Sequence, residues 1–194
     1  YQALSDEYSA IEPPSLAALF ATYLRQHEIS VAIYDVPGLG FTDFTPEQAA
    51  DVICDVFEPL LIVMVVYGFQ PSASTQNMTA AGETCRAIKE RRPDFKIMMT
   101  GTHPAALPRR TMEEEAIDFV CDREGPQTIR HVIEALKGGG ARFSQIPSLW
   151  WRQEGHILQN VAGDLLADLD AAMPGGAWDL LPMERYRSHN WHSF

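Results

Sequence analysis

The chain has 194 residues, of which 46% are hydrophobic, and it carries a formal net charge of -11. This length and composition suit one well-packed core with an appendage. The negative charge argues against nucleic acid as a partner, because phosphate binding needs a basic face. No apolar run approaches the roughly 18 residues that a membrane span requires, so we also expect no membrane partner.

The N-terminal part alternates between helix and strand patterns. From Leu16 onwards, apolar residues at i, i+3, i+4, i+7 and i+8 predict a helix with one buried face, and Pro14 suits its first turn. Val31–Tyr34 is interpreted as a short buried strand. Thr45-Pro46-Glu47-Gln48 predicts a capping box that opens a second helix.

Three further strands are each followed by a turn that contains glycine. Leu60–Tyr67 runs into Gly68, Lys96–Pro104 ends in Gly-Thr-His-Pro, and Phe119–Gly125 ends in Asp-Arg-Glu-Gly. Helices are predicted near residues 75–91, 111–116 and 127–137. Strands separated by helices pair in parallel with right-handed crossovers. We therefore predict an α/β fold with a doubly wound, flavodoxin-like (Rossmann-like) parallel sheet.

The expected sheet is one strand short, and the pattern changes after residue 140. A flavodoxin-like sheet has a further, central strand, which would precede Tyr1. Leu149–Gln159 predicts an antiparallel β-hairpin that turns at Gln153-Glu154-Gly155. The residues from Gly163 onwards have weak periodicity and are interpreted as an irregular linker. We divide the chain into an α/β domain, residues 1–140, and a hairpin and linker region, residues 141–194.

The cysteines indicate neither a disulfide framework nor a metal site. Cys54, Cys85 and Cys121 lie far apart, each inside a predicted helix or strand. We predict that they are buried, small apolar residues in a protein of the reducing cytoplasm. We predict no metal ligand and no catalytic residue in this chain.

The carboxyl edge of the sheet is the predicted ligand site, since open α/β sheets bind their ligands there. Glycine in the turns allows close backbone approach, and hydroxyl groups at a helix start can donate to a phosphate or a ribose. The candidate residues are Gly68, Gln70, Ser72, Ser74 and Thr75 in the first turn, Gly101, Thr102, His103 and Pro104 in the second, and Arg123, Glu124 and Gly125 in the third. Structural roles compete with this interpretation: His103 could cap its turn, and Glu124 could bind amides of the next helix.

Five segments carry a resemblance to a known family. They are Ala10–Pro14, Gly101–Pro104, Asp118–Val120 with the following Glu124-Gly125, the hairpin, and Ala177–Pro182 with Arg185–Arg187. Each is weak alone, but their order and spacing resemble the N-terminal half of cobalamin-dependent radical S-adenosylmethionine enzymes. The resemblance covers nearly the whole chain.

The resemblance implies a cobalamin-binding domain whose cofactor contacts lie among the candidate residues. It also implies a radical S-adenosylmethionine barrel, in the same polypeptide or in trans, that holds a [4Fe–4S] cluster and S-adenosylmethionine. The implied reaction is methyl transfer to an unactivated carbon or phosphorus, or a related rearrangement or ring closure. The three separated cysteines cannot hold one cluster from a single loop, so we expect no catalysis by this chain alone.

One departure and one alternative bear on this interpretation. The methionine-synthase type of domain places a histidine after its first strand, whereas no histidine lies between Tyr1 and Ser15. We therefore expect no cobalt ligand from that segment. The alternative is a flavodoxin-like nucleotide- or flavin-binding module, or a protein-interaction module without catalysis. Asp35 ends a predicted strand as a phosphoacceptor would, but no Gly-x-Gly-x-x-Gly is present.

Overall fold

The computed structural model describes residues 11–36, 38–39, 45–68, 71–139 and 142–187. The chain divides into two compact units, one made of residues 1–44 with 168–194 and the other of residues 45–167. Among the described residues, no helix is both long and apolar enough to span a membrane.

The unit of residues 45–167 is a five-stranded sheet with helices. Its elements are α2 (Pro46–Val56), β1 (Ile62–Val66), α3 (Pro71–Arg91), β2 (Ile97–Gly101), α4 (Thr102–Ala106), α5 (Pro108–Glu114), β3 (Phe119–Cys121), α6 (Pro126–Lys137), β4 (Leu149–Gln153) and β5 (His156–Gln159). The strand order is β1-β2-β3-β4-β5, with the first three strands parallel and the last two antiparallel. The predicted α/β fold and the hairpin are confirmed, and the hairpin extends the parallel sheet.

The register brings the carboxyl ends of the parallel strands to one edge. Val66, the last residue of β1, lies opposite Gly101, the last residue of β2. Cys121, the last residue of β3, lies opposite Leu149, where antiparallel β4 begins. Loops that follow β1, β2 and β3 therefore share one edge of the sheet, which we call the carboxyl edge.

Buried apolar side chains fix this sheet against its helices. Ile97, Met98 and Met99 of β2 are 0% exposed, as is Ile88 of α3. Cys54, Cys85 and Cys121 are free and buried, which confirms the prediction that they serve as small core residues. The sheet core thus provides a rigid support for the loops at the carboxyl edge.

The predicted capping box is confirmed at the start of α2. The Thr45 hydroxyl accepts a hydrogen bond from the Gln48 N–H at 3.3 Å, and the Gln48 side chain accepts one from the Thr45 N–H at 2.9 Å. Two backbone donors at the helix start are satisfied in this way.

Other expectations need correction. Residues Val31–Tyr34 form no strand, although their composition suits one, because an apolar run becomes a strand only when a neighbouring backbone pairs with it. Helix α3 begins at Pro71 and not near Thr75, with proline in the first turn where its missing N–H costs nothing. The Gly-Thr-His-Pro turn continues directly into α4.

The other unit combines residues from both ends of the chain. It contains α1 (Ser15–Gln26), α7 (Leu169–Ala172) and short 3-10 turns at Trp178–Leu180 and Met183–Arg185. Arg25 of α1 forms a bidentate ion pair with Asp179, with N–O distances of 2.9 and 2.8 Å. This unit is thus joined by contacts between segments that are remote in sequence.

A carboxylate inside this unit binds a tyrosine. The Tyr186 hydroxyl donates to Asp35 Oδ2 at 2.8 Å, and the Gly38 N–H donates to the same oxygen at 3.2 Å. Burial raises the pKa of the Asp35 carboxyl, although both hydrogen bonds oppose the shift. Asp35 therefore has partners inside the fold and does not stand at a strand end as a phosphoacceptor would.

Candidate functional site

Gly101 is required by the close approach of two strands. Its φ is +132°, a backbone conformation that residues other than glycine rarely adopt. A Cβ atom at this position would lie 1.9 Å from the carbonyl oxygen of Val66. The glycine therefore permits β2 to pass β1 at the carboxyl edge, and this requirement comes from the fold itself.

Ser74 joins the ends of β1 and β2. Its side chain is completely buried, and its hydroxyl donates to the Val66 carbonyl at 2.7 Å. Ser74 Oγ also accepts a hydrogen bond from the backbone N–H of His103 at 3.0 Å. The single hydroxyl proton of Ser74 is donated to Val66, so none is left to donate to a ligand. Ser74 instead holds the ends of β1 and β2 together.

His103 is held by a second hydroxyl from α3. Its Nδ1 lies 2.9 Å from Thr75 Oγ1, and Thr75 Oγ1 lies 3.1 Å from the Pro71 carbonyl oxygen. The ring is half-buried, whereas the following Pro104 is buried and Thr75 is exposed. The structure thus brings together Ser74, Thr75 and His103, all of which the sequence placed in the site.

The first turn contains both packed and accessible residues. A Cβ at Gly68 would lie 2.5 Å from Ala73 Cβ and 2.9 Å from the Ser74 nitrogen, so the chain passes tightly over the start of α3. Ser72 is exposed, while Gln70 lies outside the described residues. Tyr67 is 47% exposed, which leaves a large aromatic surface at the edge.

The third turn lies at the end of the neighbouring strand. Gly125, with φ +93°, precedes α6, and Arg123 is exposed. The Glu124 carboxylate accepts a hydrogen bond from the Leu166 N–H at 2.6 Å. Within the described part of the chain, no hydrogen bond joins this turn to the other two turns, so the structure places it beside them without linking them.

The Cys121 thiol at the end of β3 is not set up as a nucleophile. Burial raises its pKa, against opposing hydrogen bonds from the backbone N–H groups of Arg123 and Gly125 and from the Thr128 hydroxyl. A neutral thiol is neither the nucleophilic nor the metal-binding form of cysteine. In the described ranges, no group of three or more histidine, cysteine, aspartate or glutamate side chains is arranged to hold a metal ion.

Asp122 is a residue of this edge that the sequence interpretation did not select. Its Oδ2 accepts a hydrogen bond from the indole N–H of Trp150 at 2.9 Å, whereas its buried Oδ1 has no partner. A polar residue directly after a buried strand was the available signal. Trp150 is only 6% exposed, so its indole ring belongs to the core.

A concavity of about 310 Å³ lies at the junction of α4 and α5. Its lining residues are Ala106, Leu107, Pro108, Arg109, Arg110, Glu113 and Trp150. Leu107 is 42% exposed, so the concavity includes accessible apolar surface.

Comparison with known proteins identifies the family to which this chain belongs. The family model described as "B12 binding domain" matches residues 2–133. The chain therefore belongs to the B12-binding domain family. No match was found among curated proteins.

Solved structures share the fold at low sequence identity. The radical S-adenosylmethionine methyltransferase TsrM from Kitasatospora setae, with cobalamin and a [4Fe-4S] cluster bound, has a TM-score of 0.63 and 17% identity, covering 82% of this chain and 28% of that chain. The cobalamin-dependent S-adenosylmethionine radical enzyme OxsB with aqua-cobalamin bound has a TM-score of 0.60 and 18% identity, and the match covers 84% of this chain and 22% of that chain. The chain thus spans less than a third of either relative.

Proposed function

We propose that this chain binds cobalamin at the carboxyl edge and serves as the cobalamin-holding part of a radical S-adenosylmethionine enzyme, most simply a methyltransferase. The observation that carries the proposal is the convergence of the β1 and β2 loops on one edge, within the residues that match the family. The α/β region of residues 1–140 would hold the cofactor. Residues 141–194 would lead towards the barrel, in the same polypeptide or in trans.

The residues present fit a large, flat cofactor whose periphery carries amides. Tyr67 and Leu107 provide exposed apolar surface, and Ser72 and His103 provide hydrogen-bonding groups at the starts of α3 and α4. The turns at the strand ends contain glycine, which has no side chain and so lets a ligand approach the backbone closely; these residues are Gly68, Gly101 and Gly125. When bound, cobalamin supplies the methyl group, while the protein binds and orients it.

The small size of the concavity at the junction of α4 and α5 supports a second protein surface above the cofactor. Binding cavities for drug-sized ligands measure about 300–1,000 Å³ and enclose most of the ligand. Cobalamin is larger than such ligands, and the concavity beside α4 measures about 310 Å³. This chain can thus cover one face of the corrin, and we assign the other face to the barrel.

We extend the proposal to the setting of the protein. Three free, buried cysteines suit a reducing cytoplasm. The net charge of -11 supports a protein that binds neither nucleic acid nor an anionic membrane surface.

Titration with hydroxocobalamin tests the proposal. We expect a complex whose absorption spectrum shows the nucleotide base displaced from cobalt. Ser72→Trp places a bulky side chain on the edge at an exposed position and should weaken binding by about tenfold or more, a change of about 1.4 kcal/mol. The matched control is Thr79→Trp, also exposed on α3 but about 10 Å further along the helix axis, which should bind as the unmodified chain does.

Two results would contradict this assignment. If the chain binds flavin mononucleotide and not hydroxocobalamin, the assignment of cobalamin as the cofactor is wrong. If Ser72→Trp and Thr79→Trp bind cobalamin equally well, the cofactor lies elsewhere on the chain.

A further inference from the structure

The hydrogen bonds around His103 determine which ring nitrogen carries the proton. Thr75 Oγ1 lies within hydrogen-bond distance of both His103 Nδ1, at 2.9 Å, and the Pro71 carbonyl oxygen, at 3.1 Å. A threonine hydroxyl has one proton and can donate to only one of these two atoms.

Only one arrangement makes both contacts favourable. If Thr75 donates to Pro71, then His103 must carry a proton on Nδ1 and donate it to the threonine oxygen. If Thr75 donates instead to Nδ1, two oxygens with only lone pairs face each other at 3.1 Å, which is unfavourable. The geometry therefore selects the Nδ1–H form of neutral His103.

This form leaves an unprotonated nitrogen at the carboxyl edge. The Nε2 atom carries the lone pair, and it has no hydrogen-bond partner within the described ranges. It is reachable by solvent, because the ring is only half-buried and Nε2 is not among the buried atoms without a partner.

The ring that presents Nε2 is held from two sides. The His103 backbone N–H donates to Ser74, which in turn donates to Val66 at the end of β1. The side chain donates through Nδ1 to Thr75 near the start of α3. A group fixed at both its backbone and its ring loses little freedom when it binds a ligand.

Resting on the proposed function, we propose that His103 Nε2 accepts a hydrogen bond from a primary carboxamide N–H at the periphery of the corrin. The corrin ring carries several such amides, which are neutral donors that suit a neutral acceptor. This contact makes His103 a specificity-determining residue. It favours the amide form of the corrin and disfavours corrinoids in which that amide is hydrolysed to a carboxylate, because two acceptors would then meet.

Coordination of cobalt by Nε2 is the competing role, and the support of the ring argues against it. Histidines that bind metals usually donate their other N–H to a carboxylate, a backbone carbonyl or water, whereas Nδ1 of His103 donates to the Thr75 hydroxyl. The position after β2 also differs from the segment before Ser15 that carries the ligand in the methionine-synthase type.

The tautomer is tested on the purified chain without cofactor. Long-range nitrogen-proton NMR at a pH where His103 is neutral should show a protonated Nδ1 and an unprotonated Nε2. The opposite tautomer would overturn the inference, whatever the chain binds.

The contact is tested with two substitutions that imitate the two halves of the ring. Asparagine places its side-chain amide where Nδ1 lies, so His103→Asn keeps the Thr75 contact and loses the acceptor. Glutamine reaches the position of Nε2, so His103→Gln retains an acceptor. We expect His103→Asn to weaken hydroxocobalamin binding about three- to tenfold, as loss of one hydrogen bond does, and His103→Gln to bind about as the unmodified chain does.

Two kinds of altered corrinoid identify the donor. Cobinamide lacks the nucleotide tail but keeps the ring amides, so it should show the same loss with His103→Asn. Among the separate propionate monocarboxylates of cobalamin, one should bind the unmodified chain weakly and His103→Gln better, because the glutamine amide can rotate to donate.

The results separate this inference from the proposed function. No cobalamin binding by the unmodified chain refutes the proposed function. Binding that is equal in all three proteins, or a His103→Asn effect that disappears with cobinamide, refutes the amide contact alone. Electron paramagnetic resonance of the cobalt(II) form that shows nitrogen splitting, lost in His103→Asn, would also overturn it in favour of cobalt coordination.

Discussion

Replacement of Ser74 by alanine removes one buried hydroxyl that joins two strands. This hydroxyl donates to the Val66 carbonyl at 2.7 Å and accepts from the His103 N–H at 3.0 Å, in a side chain that is 0% exposed. A buried polar group that loses its partner costs about 1–3 kcal/mol. Because one of the two partners belongs to a half-buried residue, we expect a loss of about 2–4 kcal/mol in the free energy of unfolding.

The assay is urea denaturation followed by circular dichroism, with thermal melting as a second measurement. A loss of this size lowers the melting temperature of a chain of this length by roughly 5–15 °C. Ser72→Ala is the control, because Ser72 is exposed on the same turn of α3 and should change stability by less than about 0.5 kcal/mol. If Ser74→Ala also lies within about 0.5 kcal/mol of the unmodified chain, the hydroxyl does not hold the edge together and the reasoning is refuted.

Two further substitutions test other parts of the structure. Gly101→Ala should destabilise the chain by at least about 3 kcal/mol in chemical denaturation, since the new Cβ meets the Val66 carbonyl and φ is positive; an unchanged midpoint would disprove the close approach. Asp35→Asn should increase stability at neutral pH and keep an acceptor for Tyr186. Burial raises the pKa of Asp35 from its ordinary 3.8, so the native state binds the proton more tightly than the unfolded state does and stability falls as pH rises through the raised pKa. The stability curves of Asp35→Asn and the unmodified chain should thus separate as pH rises above about 4, and parallel curves would contradict the shift.

Local patterns were sufficient for most of the elements. The capping box at Thr45 is written in four consecutive residues, and the hairpin at Leu149–Gln159 contains both its strands and its turn. The prediction of a strand at Val31–Tyr34 is wrong, because a strand forms only by pairing with a neighbouring backbone that the local sequence does not specify.

The roles of individual site residues depend on contacts between distant segments. The sequence marks Gly101 as a glycine at a strand end, but its structural role depends on the register between β1 and β2. The sequence predicts the same role for Ser72 and Ser74, although Ser72 is exposed and Ser74 is completely buried. The spacing of Ser74 and Met78, four residues apart on one helix face, was the signal that separated them. The contact of Glu124 with Leu166 spans 42 positions and has no local signal.

The discontinuous unit has a consequence for the order of folding. Arg25 and Asp179 are 154 positions apart, and Asp35 and Tyr186 are 151 apart, so these contacts cannot form until Asp179 and Tyr186 have been synthesised. The sheet of residues 45–167 closes much shorter loops, which cost less entropy and form faster. During synthesis, Arg25 and Asp35 therefore lack these partners while residues 45–167 complete the sheet.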